Sequence, residues 1–498
     1  MKLNEKSRQI LLAAICLVYI LFRLWRLTDS CLWFDEIFSV HAAELPLQQM
    51  FWFVAQDLIH PPLFYVLLKL WISIGGESLF WLRFFPVFFS IIALVPFYFL
   101  CRQLELNYST IALALSFLTF SGALIKYSQT VRMYSLLMCF ALFSFWLFAR
   151  FFRLGKSFWI LTFVNIVLIY THYYGWLVIL SEVIAILILQ RIKIRQILIM
   201  GGVCLIAFTP WIYAVWQATK INANFAQNLG WASKPNFSTV FSYVFDLIEP
   251  IYFQASSDEP SSIFLVSIPV LLWIVGIFVF YLIGWRAETE KQKVYLLIIF
   301  ILTPILSAFV ISWLLPVSIW GTRHLIIVFA PFSILFAWAL NKITFQPVKI
   351  GILVALSLLV AIALAREIRR PPATFVWCGW ENLAANVQKG EKVYVFENLV
   401  AYHFWFARRS EQLQVIRVQN IEGVIEDPAY FLPRGFDAVQ TTDENGVEGE
   451  RFWIAFRDRE FNISKPPLRN LIDKGYQIGE PKIFEAQGLK AFLVLVEK

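Results

Sequence analysis

Long apolar runs recur along this chain from residue 10 to residue 366, most of them closed by basic or proline-containing turns. A helix that crosses a bilayer needs about 20 predominantly apolar residues, with a range of roughly 17 to 25. The runs accordingly predict eleven helices, at 10–27, 84–100, 108–125, 132–150, 157–171, 175–190, 196–216, 262–284, 294–314, 324–341 and 348–366. After that the pattern changes. Arg366, Glu367, Arg369, Arg370, Pro371 and Pro372 close the apolar region, and shorter β-rich alternations follow. Lys392 to Phe396, Leu413 to Val418, Arg451 to Phe456 and Ala491 to Val496 predict strands, whereas Trp380 to Gln388 and Leu468 to Gly475 predict helices. The expected fold class is a polytopic α-helical membrane protein of about 11 transmembrane helices (1–366) with a small C-terminal α/β soluble domain (367–498).

Charge in the short loops sets the orientation, because Lys and Arg accumulate on the cytoplasmic side. Arg150, Arg153 and Lys156 form one basic turn, Arg191, Lys193 and Arg195 a second, and Arg286, Lys291 and Lys293 a third. All three are expected inside together with the N-terminus. Residues 61–75 are apolar enough to resemble a span, but counting them as one would place these turns outside. Residues 28–83 therefore read as one long outer loop whose 61–75 segment lies against the membrane interface. By the same count the C-terminal domain belongs on the outer side of the cell's inner membrane.

Composition supports this reading and narrows it. Of 498 residues 59% are hydrophobic, and the mean hydropathy is +0.67, beyond what a soluble globular protein carries. The net charge of +8 resides largely in the loops, so no nucleic-acid partner is expected. Arg23 and Arg26 interrupt the end of the first run and no small-residue cleavage site follows, so it reads as an uncleaved helix. The six cysteines, at 16, 31, 101, 139, 204 and 378, show no metal-binding spacing. Cys31 and Cys378 share the expected outer face, where a disulfide would persist, but the sequence favours two free thiols.

The polar residues expected near the outer boundary are Asp35, Glu36, Asp57, His60, Arg83, Lys126, Tyr127, Gln129, Arg132, Tyr134, His172, Tyr173, Tyr174, Arg323 and His324. The middles of the helices are almost free of ionisable groups. A transporter places polar groups or broken helices near the bilayer midplane, whereas a set gathered at one face suits chemistry on a lipid headgroup. Arg and Lys stabilise the charge that grows on a leaving phosphate, and a carboxylate takes the proton of an attacking hydroxyl.

Five motifs in register then resemble one family. They are Trp33-Phe34-Asp35-Glu36, His60-Pro61-Pro62-Leu63-Phe64-Tyr65, Leu82-Arg83-Phe84-Phe85-Pro86, Tyr127-Ser128-Gln129-Thr130-Val131-Arg132-Met133-Tyr134 and Tyr170-Thr171-His172-Tyr173-Tyr174-Gly175. Together they resemble the bacterial members of glycosyltransferase family 39, which have the GT-C fold and are similar to protein O-mannosyltransferases and lipid A aminoarabinose transferases. The resemblance covers roughly residues 10 to 340. It implies inverting transfer of one sugar from a polyprenyl-phosphate donor to a lipid, glycan or protein acceptor at the outer face, with membrane lipids around the chain. It also implies Asp35, with Glu36 beside it, as the catalytic pair, and Arg83 and Arg132 as donor-phosphate ligands. His60, Tyr127, Gln129, Tyr134, His172, Arg323 and His324 are the candidate substrate-binding residues. Two positions depart from the family pattern: Thr130 stands where relatives often carry Glu, and Asp57 lies one residue further from His60-Pro61-Pro62 than usual.

Each residue also has a structural reading. Asp35 and Glu36 suit a helix cap, worth about 0.3 to 1 kcal/mol. Arg83 and Arg132 suit headgroup anchors, His60 suits a proline-shaped turn, and His172 suits an interfacial belt. No Gly-rich nucleotide loop and no metal cluster is present, so no cofactor is expected, although a divalent cation beside Asp35 and Glu36 is compatible with the pattern. The rivals are a lipid or polysaccharide transporter and an enzyme that moves a whole oligosaccharide from a pyrophosphate carrier.

Overall fold

The structure, a computed structural model, describes residues 4–221, 230, 232–253, 288–411, 413–427 and 430–498. The expected helix at 262–284 lies outside them. The chain divides into two compact units, one of Met1–Leu27 and Met50–Pro371, the other of Thr28–Gln49 and Pro372–Lys498. The division therefore differs from a single boundary at 366, because residues 28–49 of the expected outer loop fold with the C-terminal part.

The larger unit is helical. It contains α1 (Glu5–Leu24) and, beyond α2 (Phe34–Glu44) of the smaller unit, most of α3 (Leu47–Asp57). There follow α4 (Leu63–Gly75), α5 (Leu79–Ile92), α6 (Leu94–Gln103), α7 (Tyr108–Phe120), α8 (Gly122–Ser128), α9 (Tyr134–Leu154), α10 (Phe158–Thr171) and α11 (Gly175–Leu189). The set continues with α12 (Ile194–Lys220), α13 (Phe237–Asp246), α14 (Glu288–Leu314), α15 (Phe329–Lys342) and α16 (Gln346–Arg369). Among the described residues seven helical stretches are long and apolar enough to cross a membrane, and α4, α7, α10 and α11 are shorter apolar helices. With 13 residues α4 is about 20 Å long, short of a hydrocarbon core of about 30 Å. The expected helix at 84–100 is two helices, because Pro96 near the start of α6 has no N–H to bond the carbonyl of Ile92.

Polar side chains pin this bundle where they are fully buried. Arg23 donates to Ser90 Oγ on α5 (3.0 Å), to the Tyr19 carbonyl (3.1 Å) and to the Leu118 carbonyl on α7 (3.0 Å). Midway along three helices Ser144, Asn165 and Glu182 close a hydrogen-bonded triangle with sides of 2.7 Å. Each such group is buried with its partners supplied by its own or a neighbouring helix, the arrangement hydrocarbon surroundings demand.

The smaller unit is an α/β sandwich. Its strands are β1 (Lys392–Val395), β2 (Gln414–Val418), β3 (Gln440–Thr442), β4 (Arg451–Asp458), β5 (Gln477–Ile478), β6 (Lys482–Glu485) and β7 (Lys490–Glu497). The order is β3-β2-β1-β4-β7-β5, with β6 also paired to β7. The first four strands run parallel, and β7 is antiparallel to β4, β5 and β6. Alternation sorts the side chains: Val393, Val395, Trp453, Ala455 and Leu493 enter the core with α17 (Gly379–Ala384) and α18 (Asn398–Ala407), whereas Tyr394, Ile454, Phe492 and Val494 enter the core with α19 (Leu468–Asp473). Cys31 and Cys378 form a disulfide across 347 residues of sequence, which corrects the expectation of two free thiols. Once residues 28–49 join the C-terminal sheet, the two cysteines become neighbours.

Candidate functional site

Four connections of the helical unit converge on a group of imidazoles. The first follows α3, where Leu58 adopts a left-handed φ of 65° and His60 precedes Pro61 and Pro62, which lead into α4. The second joins α8 to α9 and carries Arg132. Gln129 fixes this turn by donating its side-chain amide to the carbonyls of Arg23 (3.2 Å) and Trp25 (2.7 Å) at the end of α1. The third joins α10 to α11 and carries His172, while His324 opens the short 3-10 turn His324–Val328 before α15.

The side chains meet there. Ring centroids are 5.3 Å apart for His60 and His172, 4.7 Å for His172 and His324, and 6.3 Å for His60 and His324. Arg132 Nη2 lies 3.3 Å from His60 Nδ1, whose other neighbour is the Asp57 carboxylate at 3.5 Å. Tyr134 lies beside His324 with centroids 6.0 Å apart and beside Tyr127 at 5.1 Å. Arg323 acts electrostatically on Tyr127, His172 and Tyr174. Of the residues selected from sequence, His60, Tyr127, Arg132, Tyr134, His172, Arg323 and His324 thus belong to one neighbourhood. Gln129 shapes its turn. Arg83 is fully buried on α5 and donates to the Leu27 carbonyl at 2.9 Å, where the chain leaves α1.

Three histidine nitrogens within 4.8 Å of one another have the spacing of a metal site, but their chemistry favours an anion. His172 Nδ1 accepts the Tyr174 backbone N–H at 3.0 Å, so the proton of the neutral ring sits on Nε2. That Nε2 is buried and has no hydrogen-bond partner among the described residues. A metal would need a lone pair on this nitrogen. A phosphate oxygen would accept its proton, and an unsatisfied buried donor costs about 1 to 3 kcal/mol until something does. Burial, and then the positive fields of His60, Arg132 and Arg323, hold the His172 imidazole well below its ordinary pKa, so it stays neutral. Two guanidinium groups among these rings repel a cation and attract an oxyanion.

The acidic motif belongs to the smaller unit. Phe34 begins α2, and Glu36, fully buried, accepts the Trp33 N–H at 2.8 Å, closing the first turn as a cap. Asp35 is only half-buried and acts electrostatically on Tyr430. Trp33 packs against Trp377 (centroids 4.2 Å) and Tyr430 (5.4 Å), and Phe34 against Tyr430 (5.3 Å) and Tyr402 (5.3 Å). His403 lies 6.3 Å from both motif rings, and its Nε2 is buried without a partner among the described residues. Trp377, Tyr430 and His403 escaped the sequence reading. The only signal for them was indirect: a cysteine at 31 and another at 378, both on the expected outer face.

No protein-family profile matches the sequence, and no curated protein matches it. Solved structures do. ArnT from Cupriavidus metallidurans bound to undecaprenyl phosphate is similar with a TM-score of 0.61 at 12% identity, covering 98% of each chain. The same protein in the apo state gives 0.57 at 10% identity, again over 98% of each chain. An Archaeoglobus fulgidus oligosaccharyltransferase in complex with Zn and sulfate gives 0.45 at 11% identity, over 80% of this chain and 61% of that one. The fold is thus the GT-C-type membrane fold of ArnT, as the motif resemblance implied.

Proposed function

We propose that this chain is a membrane glycosyltransferase that takes a single sugar from a polyprenyl-phosphate donor and passes it, with inversion, to an acceptor at the outer face of the inner membrane. The observation that carries the reading is the buried His172 Nε2–H, which has no partner among the described residues and lies in the positive field of Arg132, His60 and Arg323, with His324 beside it. A fold similar to ArnT bound to undecaprenyl phosphate supports the same ligand class. A disulfide between residues 31 and 378 supports an oxidising compartment for the smaller unit.

In this reading the acceptor hydroxyl attacks the anomeric carbon and gives its proton to a carboxylate base, a role that the motif resemblance, and no geometry of the site, assigns to Asp35. The bond from that carbon to the phosphate oxygen breaks, and the electron pair leaves with the polyprenyl phosphate. Arg132 and His172 hold the charge that appears on the departing oxygen, and Arg83 is retained as a second phosphate ligand. Such hydrogen bonds strengthen as charge develops, so they act on the rate as well as on binding. Tyr127, Tyr134 and His324 offer apolar faces and hydroxyl or imidazole edges for the sugar. No metal is assigned a role, and chelation with EDTA is expected to leave turnover intact.

Purified protein incubated with radiolabelled polyprenyl-phosphate sugar tests this. Label should transfer covalently to an acceptor, and Arg132→Ala or His172→Ala should weaken donor use roughly ten- to hundredfold, the range of a charge-assisted contact of about 1.5 to 3 kcal/mol. Transport of the lipid without covalent transfer, or preference for a pyrophosphate-linked oligosaccharide, would replace the reading with one of its rivals.

A further inference from the structure

The opposite end of the helical unit carries a second binding feature. Gln129 meets the C-terminal end of α1, so Arg8 near its N-terminal end lies roughly 24 Å away along the helix axis. There an open groove of about 270 Å³ runs between α1, α6 and α7, walled by Leu12, Ala13, Cys16, Phe97, Ile111 and Leu115. Its rim is polar. Arg8 and Arg102 approach Tyr108 from two helices, with guanidinium carbons 5.9 and 5.4 Å from the ring centroid, and Tyr98 meets Tyr108 and Arg102 beside them. Neither arginine is in an ion pair among the described residues. The nearby carboxylate of Glu105 is already engaged by Arg153 (2.5 Å) and Lys293 (2.7 Å).

We infer that this groove is a binding site for an anionic phospholipid, with the phosphodiester between Arg8 and Arg102 and one acyl chain along α1 from Leu12 to Cys16. Two cations with no ion pair among the described residues attract a negative headgroup at a membrane end, and an apolar trough beside them fits the chain attached to that headgroup. Arg153 and Lys293 belong to basic turns that the positive-inside pattern assigns to the inner face, whose leaflet is rich in anionic lipid. A neutral hydrocarbon gap would need no such rim. The site shares no residue with the imidazole group, so it stands apart from the proposed transfer reaction.

Native mass spectrometry of the full-length protein, with dioleoylphosphatidylglycerol or dioleoylphosphatidylcholine added at equal concentration, tests the assignment. The anionic lipid should be retained at least about tenfold more strongly, and Arg8→Gln and Arg102→Gln should each reduce its retention about fivefold. Ala13→Phe, at an exposed position that accepts a larger side chain without disturbing the core, should reduce retention while both arginines remain. Independently, phosphatidylglycerol should slow alkylation of the half-buried Cys16 in the wild type and not in the double arginine variant. Equal retention of the two lipids, no effect of the arginine pair, or no effect of Ala13→Phe would each overturn the site.

Discussion

Asp35 and Glu36 are adjacent in sequence yet meet different fates on α2. Glu36 is fully buried and closes the helix start on the Trp33 N–H, whereas Asp35 keeps a half-buried carboxylate beside Tyr430. A general base supplies about two to four orders of magnitude in rate. Asp35→Asn is therefore expected to lower turnover by that amount with donor binding retained. Glu36→Gln keeps an acceptor oxygen for Trp33, so turnover should fall less than about tenfold, while Glu36→Ala should cost roughly 0.5 to 2 kcal/mol of stability as a lost cap. Near-normal turnover of Asp35→Asn would leave the motif with a capping role alone. The pair itself was legible because two acids beside a membrane span are conspicuous. The cap that Glu36 forms on the Trp33 N–H is local and was within reach of the sequence, whereas the surroundings of Asp35 were not, because Tyr430 lies far later in the chain.

The smaller unit shows what local pattern carries and what it omits. β1, β4 and β7 show as short, nearly continuous β-rich apolar runs, since each buries both faces, and β2 as a β-branched run with alternating burial. The short β3, β5 and β6 leave no such trace, and Asn398–Ala407 is too evenly apolar to separate helix from strand by period. Residues 28–49 were assigned to a membrane loop because their partners lie some 350 residues later, beyond any local signal. Within this unit His41 and His403 are buried as neutral rings, their pKa values lowered by burial to about 4 and about 3, with Arg409 adding to the shift of His41. The unfolded chain binds a proton at each below its ordinary value near 6.5, and the folded chain does not until much lower pH. Stability from both groups is thus fully present above about pH 6.5 and is lost as pH falls toward 4. At pH 5 the expected loss is about 2 kcal/mol per histidine, partly offset by Glu397, whose pKa burial raises. Hydrogen exchange of the sheet amides at pH 7 and pH 5 should show it, and His403→Phe should flatten the response. Unchanged protection at pH 5 would mean that these rings are hydrated. Serine at both Cys31 and Cys378 should cost the same unit about 2 to 5 kcal/mol at either pH, read by the same exchange.

For the molecule in its membrane the apolar runs were the strongest signal, and every predicted helix within the described residues has a helical counterpart. What they leave undecided is parity, because each added or omitted crossing inverts everything after it, and the 262–284 segment enters that count. The positive-inside rule predicts the basic turns at Arg150 to Lys156 and Arg191 to Arg195 inside, and the proposed outer-face reaction requires an oxidising side for the smaller unit, where a disulfide such as Cys31–Cys378 would persist. Reporter fusions at Lys156 and Lys193 should therefore signal the cytoplasm, and a fusion after Lys498 should signal the outer side. Alkylation of Cys31 and Cys378 in unbroken cells should require prior treatment with a thiol reductant. A cytoplasmic signal at Lys498 would break the agreement between charge and disulfide, move the smaller unit and its Asp35 away from an outer-face donor, and with that overturn the proposed transfer reaction.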